Sequence, residues 1–253
     1  MNRMRYKKMN AMMLIFTLII CTPFGVYAEP GALHILDRAD DKWDLNLRNS
    51  TTELELQVYR ENELRKTYRM KLKYQDTYHV LAETTFPPRN EGEKMLQAGR
   101  RNFWLYLPDI NRAMRISESN SLSNSDFSNT DLLSPRLSSE YTPTLLGTEK
   151  MGDVEAYKLE LLAKDESTPY AKIIYWIRKA DFFPLRRDYY TFSKMLLKRL
   201  DMKASSPEVS GPDIFVMSSV LERDKKTVIR YLRQTPGSGF PPDTFRESAL
   251  MKR

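Results

Sequence analysis

The sequence predicts a mainly β protein, in which an antiparallel sheet is covered by a few short helices. Three observations predict this class. Apolar and polar residues alternate with a period of two over several segments, other segments are apolar on both faces, and prolines and serine-rich stretches separate the segments at short intervals. No repeat or linker divides the roughly 225 residues after the N-terminal segment, and all-β domains of this size are often undivided. We therefore expect a single domain over residues 29–253.

The alternating segments come first along the chain. Residues 54–58, 68–74 and 78–86 each place apolar side chains at every second position, with mostly polar side chains between them. Successive side chains of a strand point to opposite faces, so this pattern is typical of antiparallel strands with one face in water. Pro87 and Pro88 end the third segment.

Later segments are apolar on both faces. This holds for residues 102–107, 171–177 and 189–192, and in part for 214–220 and 227–232. Each face of such a strand must be covered. In a sheet that curls toward a barrel, one face can meet a helix while the other lines an interior. These segments therefore favour a curved sheet with an apolar inside.

Three short segments have helical features. Residues 30–41 start with a proline and repeat apolar residues at helical spacing, residues 125–133 offer Ser and Asp caps, and residues 244–252 predict a short C-terminal helix. Loops are predicted at residues 117–125, 203–213 and 234–243.

The first 28 residues have the features of a secretory signal peptide. A basic head precedes an apolar run over residues 11–21, and Val26-Tyr27-Ala28 offers small residues before a cleavage point. The apolar run is shorter than the about twenty residues of a membrane-spanning helix, which disfavours an uncleaved anchor. We therefore expect cleavage after Ala28 and a mature protein in the periplasm.

The mature chain is nearly neutral and has no thiol. The whole sequence contains 40 Lys and Arg against 33 Asp and Glu, but four of the basic residues lie in the first 28, which leaves a net charge of +3. Such a balance gives little support to nucleic-acid binding. The single cysteine, Cys21, lies in the signal peptide, and the bulky Ile20 before it disfavours lipidation. Disulfides and thiolate metal sites are therefore not expected.

The sequence contains no motif that predicts catalysis, a cofactor or a metal. Phosphate-binding loops, nucleophile elbows and zinc motifs are absent from it. His79 and Asp76 are expected on opposite faces of one strand, Asp126 is expected to interact with a helix N-terminus, and Asp131 is expected in solvent. The arginine pair at 186–187 is interpreted as a solvated strand end in preference to a head-group site. We expect a protein without catalytic activity.

The strands that are apolar on both faces suggest more buried apolar surface than a folded core requires. Pockets for small molecules are mostly apolar with a few polar groups, so a concave sheet could hold acyl chains. The candidate lining residues are Leu72, Val80, Phe103, Leu105, Ile173, Tyr175 and Phe192. Which strand face points inward stays open, because a shift of one residue reverses it.

The stretch from Phe86 to Leu133 carries a family resemblance. Its marks are Pro87, Gly92, Met95-Leu96, Trp104-Leu105-Tyr106, Pro108, Arg112, Arg115 and Ser125-Asp126-Phe127-Ser128. In this order and spacing the chain resembles the outer-membrane lipoprotein-sorting (LolA-like) proteins. The segments over residues 172–187 and 241–250 fit the same pattern more loosely, so the resemblance covers most of the mature chain.

The resemblance implies a strongly curved, unclosed half-barrel whose mouth is covered by helices. It further implies a periplasmic role in binding lipids or lipoproteins, with an inner-membrane export pump of the resistance-nodulation type as a partner. Our first hypothesis is a non-catalytic carrier that holds acyl chains under a lid of helices 30–41 and 125–133. The alternative is an accessory subunit that docks on a membrane transporter or envelope complex, with its interior filled by its own side chains. A lipid hydrolase is a third, disfavoured hypothesis, because two isolated histidines supply no clustered base.

Overall fold

The computed structural model describes residues 29–133, 136–222 and 224–251. The predicted signal peptide over residues 1–28 lies outside these described residues. Within them, thirteen antiparallel strands form one sheet that does not close into a barrel, accompanied by a few short helices. Twisted open sheets of more than about ten strands tend to curl. The predicted class, a mainly β unclosed half-barrel, is confirmed.

The bounds of the elements follow. The strands are β1 (Ser50–Arg60), β2 (Glu63–Asp76), β3 (His79–Phe86), β4 (Lys94–Ala98), β5 (Phe103–Leu107), β6 (Arg112–Ile116), β7 (Tyr141–Met151), β8 (Val154–Ala163), β9 (Lys172–Arg178), β10 (Pro184–Tyr190), β11 (Leu196–Lys203), β12 (Ile214–Ser219) and β13 (Lys226–Pro236). The helices are α1 (Ala32–Leu47), α2 (Asn129–Leu133) and α3 (Glu247–Leu250).

The sheet has two free edges. Its strand order is β6-β5-β4-β3-β2-β1-β13-β12-β11-β10-β9-β8-β7, so β6 and β7 have a strand neighbour on one side only. Residues 117–140, which include α2, carry the chain from one edge to the other. On the long edge strand β7, Pro143 lacks an N–H donor and a register shift falls between Leu145 and Gly147. Such interruptions disfavour pairing with a foreign strand.

The inner face of the sheet carries the main core. The alternating residues Leu54, Leu56, Tyr68, Met70 and Leu72 are all buried, whereas their neighbours on the other face are more exposed, as the period of two predicts. These residues join one cluster with side chains of β9 to β13 and of α1. Since α1 contacts both the edge strand β7 and the central strands β1 and β2, the sheet wraps around this helix.

The outer face is covered at two places, which accounts for the strands that are apolar on both faces. Leu250 and Phe245 at the C-terminal end pack on Leu96 and its neighbours. On β9, Trp176 lies under the cationic side chains of Lys158 and Arg186, at 5.3 and 6.0 Å from the ring centre. The aliphatic parts of such side chains shield apolar surface while their charges stay in water.

Several element boundaries differ from the sequence prediction. Helix α1 runs to Leu47 and not to residue 41, because Trp43 and Leu47 continue its buried stripe. Helix α2 starts at Asn129 and not at residue 125. Strand β10 occupies Pro184–Tyr190, so the predicted segment 189–192 overlaps only its end. Strands β4, β6, β7, β8 and β11 have no counterpart among the segments predicted from the pattern of apolar residues.

We predict that the buried stripe of α1 is a main source of stability. Leu36 is fully buried in the core, so Leu36→Ala removes apolar contacts and leaves a cavity. The expected loss is about 2–5 kcal/mol in the free energy of unfolding. Leu33 lies on the same helix but is exposed, and Leu33→Ala is the matched control with a change of about 0.5 kcal/mol or less. Urea denaturation measures both; equal losses would contradict the assignment.

Candidate functional site

The concave face of the sheet is filled over much of its area by two segments. Helix α1 inserts Ile35, Leu36, Ala39, Trp43 and Leu47. The segment between β6 and β7 adds a second set of buried apolar side chains, namely Leu122, Phe127, Leu132, Leu133 and Leu137. Both segments were predicted as a lid. Both lie against the inner face, and buried carboxylates fasten them there.

Asp40 of α1 is fully buried. Its Oδ2 accepts hydrogen bonds from the backbone N–H groups of Leu137 and Ser138, at 2.9 and 2.8 Å, while Oδ1 has no hydrogen-bond partner among the described residues. Burial raises the pKa of Asp40 to about 6, against the opposing effects of the Arg187 guanidinium and the hydrogen bond from Ser138. This carboxylate therefore ties α1 to the second segment.

Arg187 of β10 is also buried, which corrects its interpretation as a solvated strand end. Its guanidinium lies over the rings of Trp43 and Tyr175, at 4.7 and 4.4 Å from their centres, and its Nη2 donates to the Tyr175 hydroxyl at 2.9 Å. Burial raises the pKa of Tyr175 to about 12, so the phenol stays protonated at neutral pH. The cation thus joins α1 to β9 and β10.

Asp44, one turn further along α1, supplies a second attachment. Its Oδ1 accepts from the hydroxyl groups of Tyr74 and Thr77 at 2.8 and 3.0 Å. Its Oδ2 pairs with Arg48 at 3.1 Å and lies 4.0 Å from Arg136. Both β2 and the segment that follows α2 are therefore held to the helix by one buried carboxylate.

Asp131 of α2 is buried, whereas the sequence analysis expected it in solvent. Its Oδ2 accepts from the Ser128 backbone N–H at 2.7 Å, and the Ser128 hydroxyl accepts from the Asp131 N–H at 3.3 Å, which is a capping box. The same carboxylate pairs with Lys198 of β11 at 2.6 Å and accepts from the Tyr170 hydroxyl at 3.0 Å. The helix cap is therefore also its link to the sheet.

Asp126 does not cap the helix, contrary to expectation. Its Oδ2 lies 2.9 Å from Arg60 Nη1 and accepts from the Thr227 hydroxyl at 2.7 Å. Its backbone carbonyl accepts from Lys198 at 3.1 Å. This contact holds the start of the second segment to β1, β11 and β13.

Between these attachments lies a small cavity. It has a volume of about 40 Å³ and is lined by charged and phenolic side chains, among them Asp131, Tyr141, Tyr170, Arg187 and Tyr189. The space suits three or four water molecules at roughly 10–15 Å³ each. It is too small for an acyl chain.

A larger trough lies where α1 does not cover the sheet. Its volume is about 290 Å³, near the lower end for small-molecule pockets. The apolar wall consists of Met70, Ala82, Met95, Leu105, Leu107 and Ile116. Cross-strand pairing connects part of this wall, since Ala82 pairs with Met95 and Met95 with Leu105. Asn120, Ser121 and Asn129 form a polar margin on the opposite side.

The predicted lining residues fall into four groups. Leu105 lines the trough and Ile173 lines the small cavity. Leu72, Val80, Phe103 and Tyr175 are buried in the inner-face core, beneath the covering segments. Phe192 lies elsewhere: it is 55% exposed in the turn after β10, because that strand ends at Tyr190. Six of the seven thus belong to the inner face, and their role in lipid binding stays a prediction.

Sequence reasoning missed most of the trough wall. Met70 shares a face with Leu72, and Ala82 shares one with Val80, so the alternation contained the signal for both. Met95 and Ile116 lie on strands too short to give a clear period.

His79 and Asp76 contact each other, contrary to the expectation from a single strand. Asp76 ends β2 and His79 begins β3, so the two residues pair across a turn, with His79 Nδ1 at 2.9 Å from Asp76 Oδ1. Both side chains are partly exposed. Among the described residues, no group of three or more His, Cys, Asp or Glu could hold a metal ion. No helix of the described part has the length and apolar character to cross a bilayer.

Solved structures show the fold of this chain. It is similar to a LolA superfamily protein from Nitrosomonas europaea (TM-score 0.77, 22% identity, 87% of this chain and 99% of that one). It is also similar to a putative outer membrane lipoprotein-sorting protein domain from Vibrio parahaemolyticus (TM-score 0.76, 23% identity, 87% and 98%). A DUF1329 family protein from Desulfovibrio piger gives a TM-score of 0.74 at 23% identity, with 88% and 100% covered. The chain therefore shares the fold of these three structures, among them the LolA superfamily protein.

A family model described as "Uncharacterized protein" matches residues 76–252, which is more than half of the chain. The chain belongs to this family. No curated protein matches it in sequence. The matched residues begin at the end of β2 and include the second covering segment and nearly all of the trough wall, but not α1.

We predict that Asp40 makes stability depend on pH in a defined direction. Its pKa is raised from 3.8 to about 6, so protonation favours the folded state. The loss of folding stability caused by ionising the buried Asp40 is absent below about pH 4 and complete above about pH 7. It amounts to roughly 3 kcal/mol, at 1.36 kcal/mol per pKa unit. Asp40→Asn removes the titration. The stability of the variant minus that of the wild type should therefore increase between pH 4 and pH 8 by about that amount.

Urea unfolding at several pH values measures this difference, and any constant effect of the amide cancels in the comparison. Asp37→Asn is the control, because Asp37 lies on the exposed side of the same helix. A difference between Asp40→Asn and wild type that does not change with pH would contradict the burial of an ionised Asp40.

We predict that Lys198→Met strongly destabilises the protein. Lys198 and Asp131 are both buried, so loss of the cation leaves a buried carboxylate without its charged partner. The expected loss is about 3–5 kcal/mol. Lys203→Met, at the exposed end of the same strand, is the matched control. A loss below about 1 kcal/mol in thermal or urea unfolding, as for exposed pairs, would show that the pair is solvated.

Proposed function

We propose that the mature protein is a periplasmic, non-catalytic carrier that binds acyl chains of lipids or lipoproteins on the inner face of its half-barrel. The observation that carries the proposal is the trough over β2 to β6: each of these five strands contributes an apolar side chain to its wall, and Glu93, Lys94 and the amide and hydroxyl groups of residues 120–129 supply polar groups. Acyl chains need such a wall, and amide and hydroxyl groups at the margin suit the polar end of a lipid. The LolA fold and the N-terminal signal-peptide pattern support the periplasmic location.

The proposed binding site can extend from the trough along the inner face of the sheet. Leu72 pairs with Ala82, and Phe103 pairs with Ile116, so residues beneath the covering segments continue the trough wall on the same strands. A chain that outgrows the trough would displace α1 or the segment over residues 117–140. Each methylene removed from water contributes about 0.8 kcal/mol, which a carrier can use against the cost of this displacement.

A second candidate function has its own supporting observation. Because α1 and the second segment fill most of the concave face, the protein could serve as an accessory subunit of a membrane transporter or envelope complex, with no cargo. An inner-membrane export pump of the resistance-nodulation type is the partner that this alternative names. The carrier requires lipid uptake, and the accessory role does not.

We predict that Leu105→Trp blocks acyl binding. Leu105 is half-buried in the trough wall, so an indole at this position occupies the space of the guest. Binding of a fluorescent fatty acid to the purified protein should weaken by at least about tenfold, the equivalent of 1.4 kcal/mol. Leu162→Trp, at an exposed site on β8, should bind like wild type.

Mass spectrometry of lipids extracted from protein purified out of the periplasm is the companion measurement. Wild type should carry lipid and Leu105→Trp should carry less, with unfolding curves confirming that both are folded. Wild-type protein that contains no lipid and takes up no fatty acid would reject the carrier and favour the accessory role.

A further inference from the structure

Exposed apolar side chains concentrate at one end of the sheet. The end in question, here called the rim, contains the turns that follow β1, β3, β5, β8, β10 and β12. Eight of the twelve exposed large apolar residues of the described chain lie on these turns or at the strand ends beside them: Leu64, Phe86, Ile110, Leu162, Phe192, Met195, Val220 and Leu221. The five turns at the opposite end, at residues 77–78, 99–102, 152–153, 179–183 and 204–213, have none.

Three turns of the rim are neighbours and form one patch. Strand order places the turns after β1, β12 and β10 side by side. The Val220 N–H donates to the Leu197 carbonyl at 3.2 Å, and Asn62 donates to Asp224 at 3.4 Å, so the turns also contact one another. Phe192 and Leu221 are the most exposed members, at 55% and 64%.

The patch is also basic. The described residues of 60–66, 191–197 and 219–226 contain six Lys and Arg against four Asp and Glu, and one of the six, Arg60, pairs with Asp126 outside these ranges. Lys66 and Lys194, in two of the three ranges, are exposed to solvent. Apolar side chains among basic ones are complementary to an anionic membrane surface, where the rings and chains enter the interface and the cations meet phosphate groups.

We propose that these three turns are a docking surface for a bilayer that contains anionic phospholipid. Phe192, Met195, Val220 and Leu221 enter the interface, and Lys194 and its basic neighbours remain at the level of the head groups. This surface goes beyond the proposed acyl-binding role and is separate from the trough, so the protein can meet a membrane whether or not it holds a guest.

Vesicle flotation tests the surface directly. The mature protein is mixed with vesicles of phosphatidylcholine alone, or of phosphatidylcholine with an equal part of phosphatidylglycerol. Wild type should float with the anionic vesicles, and added salt should release it because screening weakens the attraction. Phe192→Ser combined with Leu221→Ser should reduce binding by at least about tenfold, given the apolar area removed. Leu232→Ser is the matched control, since Leu232 is 55% exposed on β13 but lies outside the rim.

A second readout uses the absence of thiols from residues 29–253. Phe192→Cys and Leu232→Cys each give a single site for an environment-sensitive fluorophore. Anionic vesicles should shift the emission to the blue for the label at position 192 and leave the label at 232 unchanged.

Three results would overturn the proposal: wild type that stays unbound, binding that is equal without phosphatidylglycerol, or equal loss in the rim and Leu232→Ser variants. The first would indicate that the patch serves another protein. Fatty-acid uptake in the same variants separates this test from that of the carrier, because the rim variant should keep uptake and Leu105→Trp should keep vesicle binding.

Discussion

The structure depends on the need to cover the apolar inner face of an open sheet. A closed barrel would bury that face by itself, but this sheet is open and has two edge strands, β6 and β7. Helix α1 and the segment between β6 and β7 supply the cover, and they bring Asp40, Asp44 and Asp131 into the interior with them. A buried carboxylate is costly unless hydrogen bonds and cations surround it. The partners of these three acids therefore determine where the cover can sit, because few other positions would satisfy them.

The sequence predicted the fold class because its earliest signals are local. In β1, β2 and β3 the alternation of side chains needs no knowledge of distant residues, and the structure has these strands where the pattern places them. The later strands that are apolar on both faces predicted coverage on each side, which the C-terminal residues and the basic side chains over Trp176 provide. Strand β7 escaped prediction because Pro143 and Gly147 interrupt its pattern, although both are tolerated at an edge.

The site was less predictable because its main interactions join residues far apart in the chain. Asp131 pairs with Lys198 and Asp40 lies near Arg187, and no spacing rule connects such partners. Charged residues are usually exposed, so solvent was the reasonable expectation for Asp131 and Arg187. The prediction that Asp76 and His79 point to opposite faces was wrong for a different reason. A two-residue turn separates them, so they lie on two paired strands and not on one. The prediction of lining residues was more accurate. Six of the seven lie on the inner face, although the alternation alone could not show which face points inward.

The free edges β6 and β7 also determine how the sheet can widen. The margins are joined by covalent chain, the 24 residues from 117 to 140, and not by a ladder of backbone hydrogen bonds. Widening the gap would thus break side-chain contacts of that strap while every strand keeps its neighbours. Under the proposed carrier function, this construction gives the half-barrel an adjustable width, so that ligands of different size can share one binding site.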